Sequence, residues 1–299
     1  HVFRFDIADG AITLWPSPDF ADQTERHQRI LGLFSLGAVV ENMTLRAGEL
    51  GFSTQAKWFP GRRDGPIARL EFQKTTPVAD GLASAISARH TNRRMYKGPA
   101  LSDREMSALA GEVDHATDVQ LIWLQGAARR RALGLIWRAE SERFLRQKLH
   151  HEIFSSIRFD LSWNESAEWA LPPGALNIEA PMRPLFKSLR HWPLMRCLTW
   201  LGVHRFIGLR AGWLPCWQAP ALGLIATAKS PENGAVEAGA AFERLWLRAT
   251  RLDLALQPLA ASAVLPHQTS AVLGASDSLR MSLTAGWEEI APGLCPVML

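Results

Sequence analysis

Residues 86–97, ISARHTNRRMYK, bring Arg89, His90, Thr91, Arg93 and Arg94 into six consecutive positions. A guanidinium offers paired donors in a planar fork that matches phosphate or carboxylate oxygens. A threonine hydroxyl adds another donor. Residues two apart in an extended segment point the same way, so Arg89, Thr91 and Arg93 can share one face and hold an anion, with His90 between them. A second reading stands beside this one. If a helix ends here, cations near its C-terminus are favoured by the macrodipole, by about 0.3–1 kcal/mol each, and need hold nothing.

Other chemistry-bearing residues point to structure. His150-His151-Glu152 is not HExxH, and neighbouring side chains on a helix diverge, so no metal site is expected. Ser155-Ser156 lacks a GxSxG context. Cys197, Cys216 and Cys295 are odd in number, far apart and outside CxxC spacing. They make neither a zinc site nor a disulfide framework, and a reducing, cytoplasmic setting is expected. With 47% hydrophobic residues the chain of 299 can bury a large core, and a net charge of +4 falls short of a dedicated nucleic-acid binder. No run of eighteen apolar residues and no signal peptide is visible, so no membrane span is expected.

The elements that must position these residues read as follows. VFRFDI (2–7) and AITLW (11–15) flank Asp9-Gly10 as a β-hairpin. A helix over about 28–50 carries Leu36, Val40, Met43, Ala47 and Leu50 at helical spacing and stops at Gly51. STQAKWFP and PIARLEFQ are strands separated by the turn-rich GRRDG. A helix is expected from Val78 to Arg89, and SDRE (102–105) is a capping box that starts another. DVQLIWLQ (118–125) is a strand, 127–158 a long helical region, ALGLIATAK (221–229) a strand, 236–260 a strong helix, and LCPVML a final strand.

One pattern spans the chain. LGAVVENMTLRAGELGFSTQ (36–55) aligns without gaps on AGAAFERLWLRATRLDLALQ (238–257) at an offset of 202, with eight of twenty positions identical. Two amphipathic helices share Leu and Ala by chance, but not also the matched Gly37/Gly239, Glu41/Glu243, Arg46/Arg248 and Gln55/Gln257. An internal duplication is the preferred reading. It predicts that the two helices face each other across a pseudo-axis, that the Gly-Ala pairs allow close backbone approach, and that Glu41 and Glu243 bond partners across the interface instead of forming an acid/base pair.

The form G-A-x-x-E at 37–41, running on to Leu50-Gly51, together with R-x-[ST]-x-R at Arg89-His90-Thr91-Asn92-Arg93, resembles the FMN-dependent nitroreductase family, and the duplicated single-chain form resembles its two-lobed, Acg-like branch. The resemblance covers most of the chain except 160–220. It implies an α+β fold in two pseudo-symmetric lobes: a mixed, mainly antiparallel sheet wrapped by helices, with a first, partial lobe over 1–77 and a second over 78–299. It implies FMN between the lobes, with Arg89, Thr91 and Arg93 (and His90 among them) at the phosphate and ribityl chain, and Gln257, Pro258 and Leu259 along the isoalloxazine ring. The chemistry would be flavin-centred, with no catalytic side chain. The first copy has no counterpart of Arg89–Arg93, so one flavin site is expected. Asp253 stands where the family's glycine follows the last leucine of the helix.

The implied activity is two-electron, ping-pong transfer from NAD(P)H through FMN to a small electron acceptor such as a nitro compound or quinone. The alternative is a flavin-binding or storage protein with a closed lid and little turnover; a third reading is a structural protein without a cofactor. The lid would be the insert at about 160–220, which holds six of the twelve tryptophans. No acidic residue lies between Ala180 and Pro231, against seven Lys or Arg. Segment 180–217 therefore also has the composition of a peripheral membrane contact or of a stacking surface for a partner. The pseudo-dimer is expected as a monomer or a homodimer.

Overall fold

The computed structural model describes residues 3–58, 65–78, 80–167, 170–269 and 275–299. The expected turn at 61–64 and the first residues of the opening strand lie outside them.

β1 (Phe3–Ala8) and β2 (Ala11–Pro16) form the predicted hairpin. Asp9 and Gly10 both have positive φ, 53° and 70°, the geometry of a tight turn whose twist matches the strands. A short α1 (Pro18–Ala21) leads into α2 (Arg26–Glu49). β3 (Phe52–Trp58) and β4 (Ala68–Lys74) complete an antiparallel sheet in the order β1-β2-β4-β3. Leu14, Ala68 and Leu70 alternate onto its buried face and meet Leu33 and Leu36 of α2 in one core.

The expected helix over 78–89 does not form. Gly81 has φ +75°, and only Ala83–Ala85 make a single 3-10 turn, continued by backbone bonds from Ala88 and Arg89 to the Ala85 carbonyl. α3 (Asp103–Val113) starts at the capping box: the Ser102 amide donates to Glu105 at 2.7 Å and the Glu105 amide to the Ser102 hydroxyl at 3.3 Å. β5 (Val119–Trp123) follows, then α4 (Gly126–Leu145) and α5 (Gln147–Ser155), which an extended Arg146 separates.

The insert is helical: α6 (Arg183–Ser188), α7 (Trp192–Thr199), α8 (Val203–Gly208), a π-turn at Leu209–Trp213 and α9 (Leu214–Gln218). β6 (Gly223–Thr227), α10 (Pro231–Arg251), α11 (Ala261–Val264), α12 (Asp277–Ile290) and β7 (Cys295–Met298) end the chain. β5-β6-β7 form a second antiparallel sheet. The protein is thus α+β with antiparallel sheets, but one mixed sheet is replaced by two separate ones. Among the described residues, parallel pairing survives only as the isolated bridges Thr91–Leu256 and Ile157–Leu171. Where Phe52–Trp58 continues as a strand after α2, the equivalent run after α10 makes one bridge and is stopped at Pro258, which has no amide to donate.

α2 and α10 pack along each other at the centre, and their contacts are reciprocal under the offset of 202. A methyl group at Gly37 would overlap the Val236 carbonyl; one at Gly239 would overlap the Phe34 carbonyl. Arg244 donates to Glu41 at 3.0 Å, and Asn42 donates to Glu243 at 2.9 Å. Both helices end alike: the amides of Leu50 and Leu252 bond to Arg46 and Ala47, and to Arg248 and Ala249, and the next residues, Gly51 and Asp253, are left-handed at φ +80° and +56°. Glu41 and Glu243 do bond across this interface, as expected.

By length and composition α2 is the one helix among the described residues apolar enough to cross a bilayer, which the absence of a long apolar run did not predict. Half of that stretch is buried inside the fold, as befits a core helix.

Candidate functional site

A cavity of about 360 Å³ lies between β5, β6 and α10. Trp123, Ile225, Phe242 and Leu245 give it apolar walls, and the segment after α10 contributes Leu254, Leu256, Gln257 and Leu259. This segment is tied on both sides. Thr91 bridges Leu256, the Asn92 amide donates to the Leu256 carbonyl at 3.0 Å, and Leu259 exchanges two backbone bonds of 2.9 Å with Leu299. The far wall comes from Pro215, Cys216 and Ala219–Gly223.

The polar side chains among its lining residues are Tyr96, Lys97, Glu105, Asp253 and Gln257, with the Cys216 thiol beside them. Burial pushes the Tyr96 phenol and the Cys216 thiol each up to about 12, so both stay neutral at pH 7 and neither is an activated nucleophile. Tyr96 donates to the Asn92 carbonyl at 2.9 Å. The Gln257 side-chain carbonyl oxygen is buried and has no hydrogen-bond partner, an acceptor aimed at nothing the protein supplies. Asp253 sits at the rim in its left-handed conformation.

The arginines lie beside this cavity and are not among its lining residues. Arg89 Nε is 2.9 Å from Glu243 Oε1, and the guanidinium stacks over Trp246 with its carbon 4.2 Å from the ring centre. Burial raises the Glu243 carboxyl above the usual range despite Arg89 and Asn42. Arg93 donates to the Ala175 carbonyl at 3.3 Å, and burial lowers its own value. His90 is exposed and bonds the Ala88 carbonyl through Nδ1 at 3.0 Å. The two guanidiniums therefore take different protein partners instead of presenting one shared face. No regular helix ends at Arg89, so the macrodipole reading also loses its helix. Thr91 joins the segment to Leu256 through its backbone; Gln257 and Leu259 line the cavity and Pro258 lies between them.

Among the described residues, the insert meets the cavity only at its C-terminal end. Pro215–Leu222 reaches the cavity, whereas α6 to α8 build a separate aromatic core with Phe144 and Phe154 of α4 and α5. Buried His150 serves that core, with Nε2 2.8 Å from the Leu189 carbonyl, and Glu152 pairs with His27 at 3.3 Å.

A second cavity, about 330 Å³, holds a pair that sequence spacing could not reveal. Cys295 Sγ lies 3.6 Å from His267 Nε2. Burial raises the thiol to about 11 and lowers the imidazole to about 4, so both are neutral at pH 7, unlike a thiolate–imidazolium pair. The two residues are 28 apart in the chain and are joined only by the folding of β7 under α11.

Fold and cavity together define an α+β protein with antiparallel sheets and a mainly apolar cavity against α10. Compared with protein-family models and with curated proteins, the chain gives no match in either case.

Proposed function

We propose that the chain is an FMN-binding oxidoreductase of nitroreductase type, a duplicated, two-lobed protein that takes two electrons from NAD(P)H and passes them to a small electrophile such as a nitro compound or quinone. One observation carries the reading. Gln257 and Leu259, two of the three residues that the family resemblance assigns to the flavin ring, line the cavity of about 360 Å³, and the buried Gln257 side-chain carbonyl oxygen lacks a partner. Its size and apolar lining suit a planar aromatic ligand.

Flavin supplies the redox chemistry when bound; the protein contributes position and electrostatics. Gln257 would accept from a ring N–H, Leu259 and Phe242 would exclude water, and Thr91, bridged to the residue before Gln257, ties the arginine-bearing segment to the cavity wall. Arg93 is the readier phosphate partner, because its one bond among the described residues is to a carbonyl. Arg89 would have to exchange Glu243 for the phosphate.

Titration of the purified protein with FMN is the test. Bound flavin that NADPH bleaches is expected. Arg89→Ala with Arg93→Ala should weaken binding on the order of a hundredfold. Glu243→Gln, which frees Arg89 from its anion, should tighten it about tenfold. A protein that stays colourless in micromolar FMN overturns the reading. The wall formed by Pro215–Leu222 favours a second reading, a flavin holder with little turnover; bound flavin that NADPH leaves yellow would select it.

A further inference from the structure

We propose that the hairpin of α7 and α8 is a docking surface for an anionic lipid bilayer. The observation is an apolar tip with nothing over it. Trp200, Leu201 and Phe206 are 89%, 79% and 65% exposed. Trp200 caps α7, Gly202 turns the chain at φ +76°, and Phe206 stands on α8. Large apolar side chains grouped on a surface mark a contact with something apolar.

The hairpin is built to present this tip. Its inner side is fixed: Met195 is fully buried among Phe144, Phe154 and Ile157, with Leu198, Val203 and Ile207 packed against them. Gly208 lies so close to Ser141 of α4 that an added methyl would overlap its backbone. Trp137 Nε1 donates to the Arg205 carbonyl at 2.9 Å. The tip's exposure is therefore a property of a braced element, not of a fraying one.

Charge identifies the partner. Lys187, Arg196 and Arg205 are exposed, and none has a carboxylate partner among the described residues. Arg190 stacks over Phe159 and touches His191. From 181 to 230 there is no Asp or Glu, against seven Lys or Arg. The insert's other exposed arginine contact, Arg210 with Glu179, draws its acid from outside that run. Apolar side chains at a tip, with Arg196 one turn before Trp200 and Arg205 next to Phe206, match a bilayer whose acyl boundary accepts the Trp, Leu and Phe and whose anionic headgroups accept the cations. Tryptophan favours the interfacial depth, and the long arginine stems let their charges stay at headgroup level.

The experiment is flotation of the whole chain with vesicles of phosphatidylcholine containing a quarter phosphatidylglycerol, and with vesicles of phosphatidylcholine alone. Binding to the anionic vesicles is expected to exceed binding to neutral ones by at least about tenfold and to fall in high salt, which shortens the Debye length. Trp200→Ser with Leu201→Ser and Phe206→Ser should reduce flotation by about tenfold or more without moving the thermal midpoint, and Lys187→Glu with Arg196→Glu and Arg205→Glu should do the same. Should the triple serine variant misfold, Trp200→Ser alone is the arbiter, because that ring touches little of the protein. Several results would overturn the proposal: no flotation, equal binding to neutral vesicles, variants that float like the parent, or a lipid-free dimer or single-stranded DNA complex that the serine substitutions abolish.

Discussion

Asp253 is one of four described non-glycine residues held at positive φ, and the one of them that lines the cavity. It follows α10 as Gly51 follows α2, with φ +56°, a region that L side chains enter at a cost. Asp253→Gly is expected to stabilise the protein by about 0.5–1 kcal/mol, read from a denaturant midpoint at unchanged slope. A charged residue held at the cavity rim against that preference is the pattern seen where a site, not the fold, sets the residue. Arg89 teaches a related lesson. Its type and spacing were legible as an anion ligand, but its present anion, Glu243, is 154 positions away in the chain and no local rule points to it. Gln257 and Leu259 were legible only through the repeat and the family likeness; that they line one cavity is a product of the Thr91 bridge and the Leu299 bonds.

At the scale of elements, the seam between α2 and α10 rests on two glycines whose places no larger residue can take, since the atoms a methyl would meet are backbone carbonyls. Gly37→Ala and Gly239→Ala are each expected to destabilise by about 3 kcal/mol. Gly111→Ala in α3 and Gly134→Ala in α4, where the space is open, should instead stabilise by about 0.5–1 kcal/mol. Equal effects at all four positions would remove the close-approach argument. The long helices, the hairpin and the edges of both sheets follow from apolar periodicity, caps and turn residues, so they could be read directly. The helices of the insert could not, because each is too short to show a period, even though Pro184, Pro193 and Pro215 mark helix starts. α12 had a readable signal in Ser276 and the spacing of Leu279, Leu283 and Trp287, all buried. The expected helix at 78–89 failed at Gly81, where positive φ ends any run.

At the scale of the whole molecule, buried titratable groups pull stability in opposite directions with pH. His267 is lowered to about 4 by burial, so its contribution is complete above its ordinary value of 6.5 and is lost as pH falls toward 4. By linkage that is about 3 kcal/mol at most. Glu41 and Glu243 are raised by burial, so their contribution is present below 4.5 and lost as pH rises through their folded values. His267→Gln is therefore expected to flatten the loss of stability between pH 6.5 and 4 in a series of denaturant melts. An unchanged acid limb would mean that the imidazole is solvated.

The pairing of α2 with α10 also has a consequence in time. α2 is complete at residue 49 and its partner at residue 251. At about 5–20 residues per second on the ribosome, the gap is on the order of 10–40 seconds. For that interval α2, with half of its apolar stretch destined for burial, is outside the exit tunnel before α10 has been made.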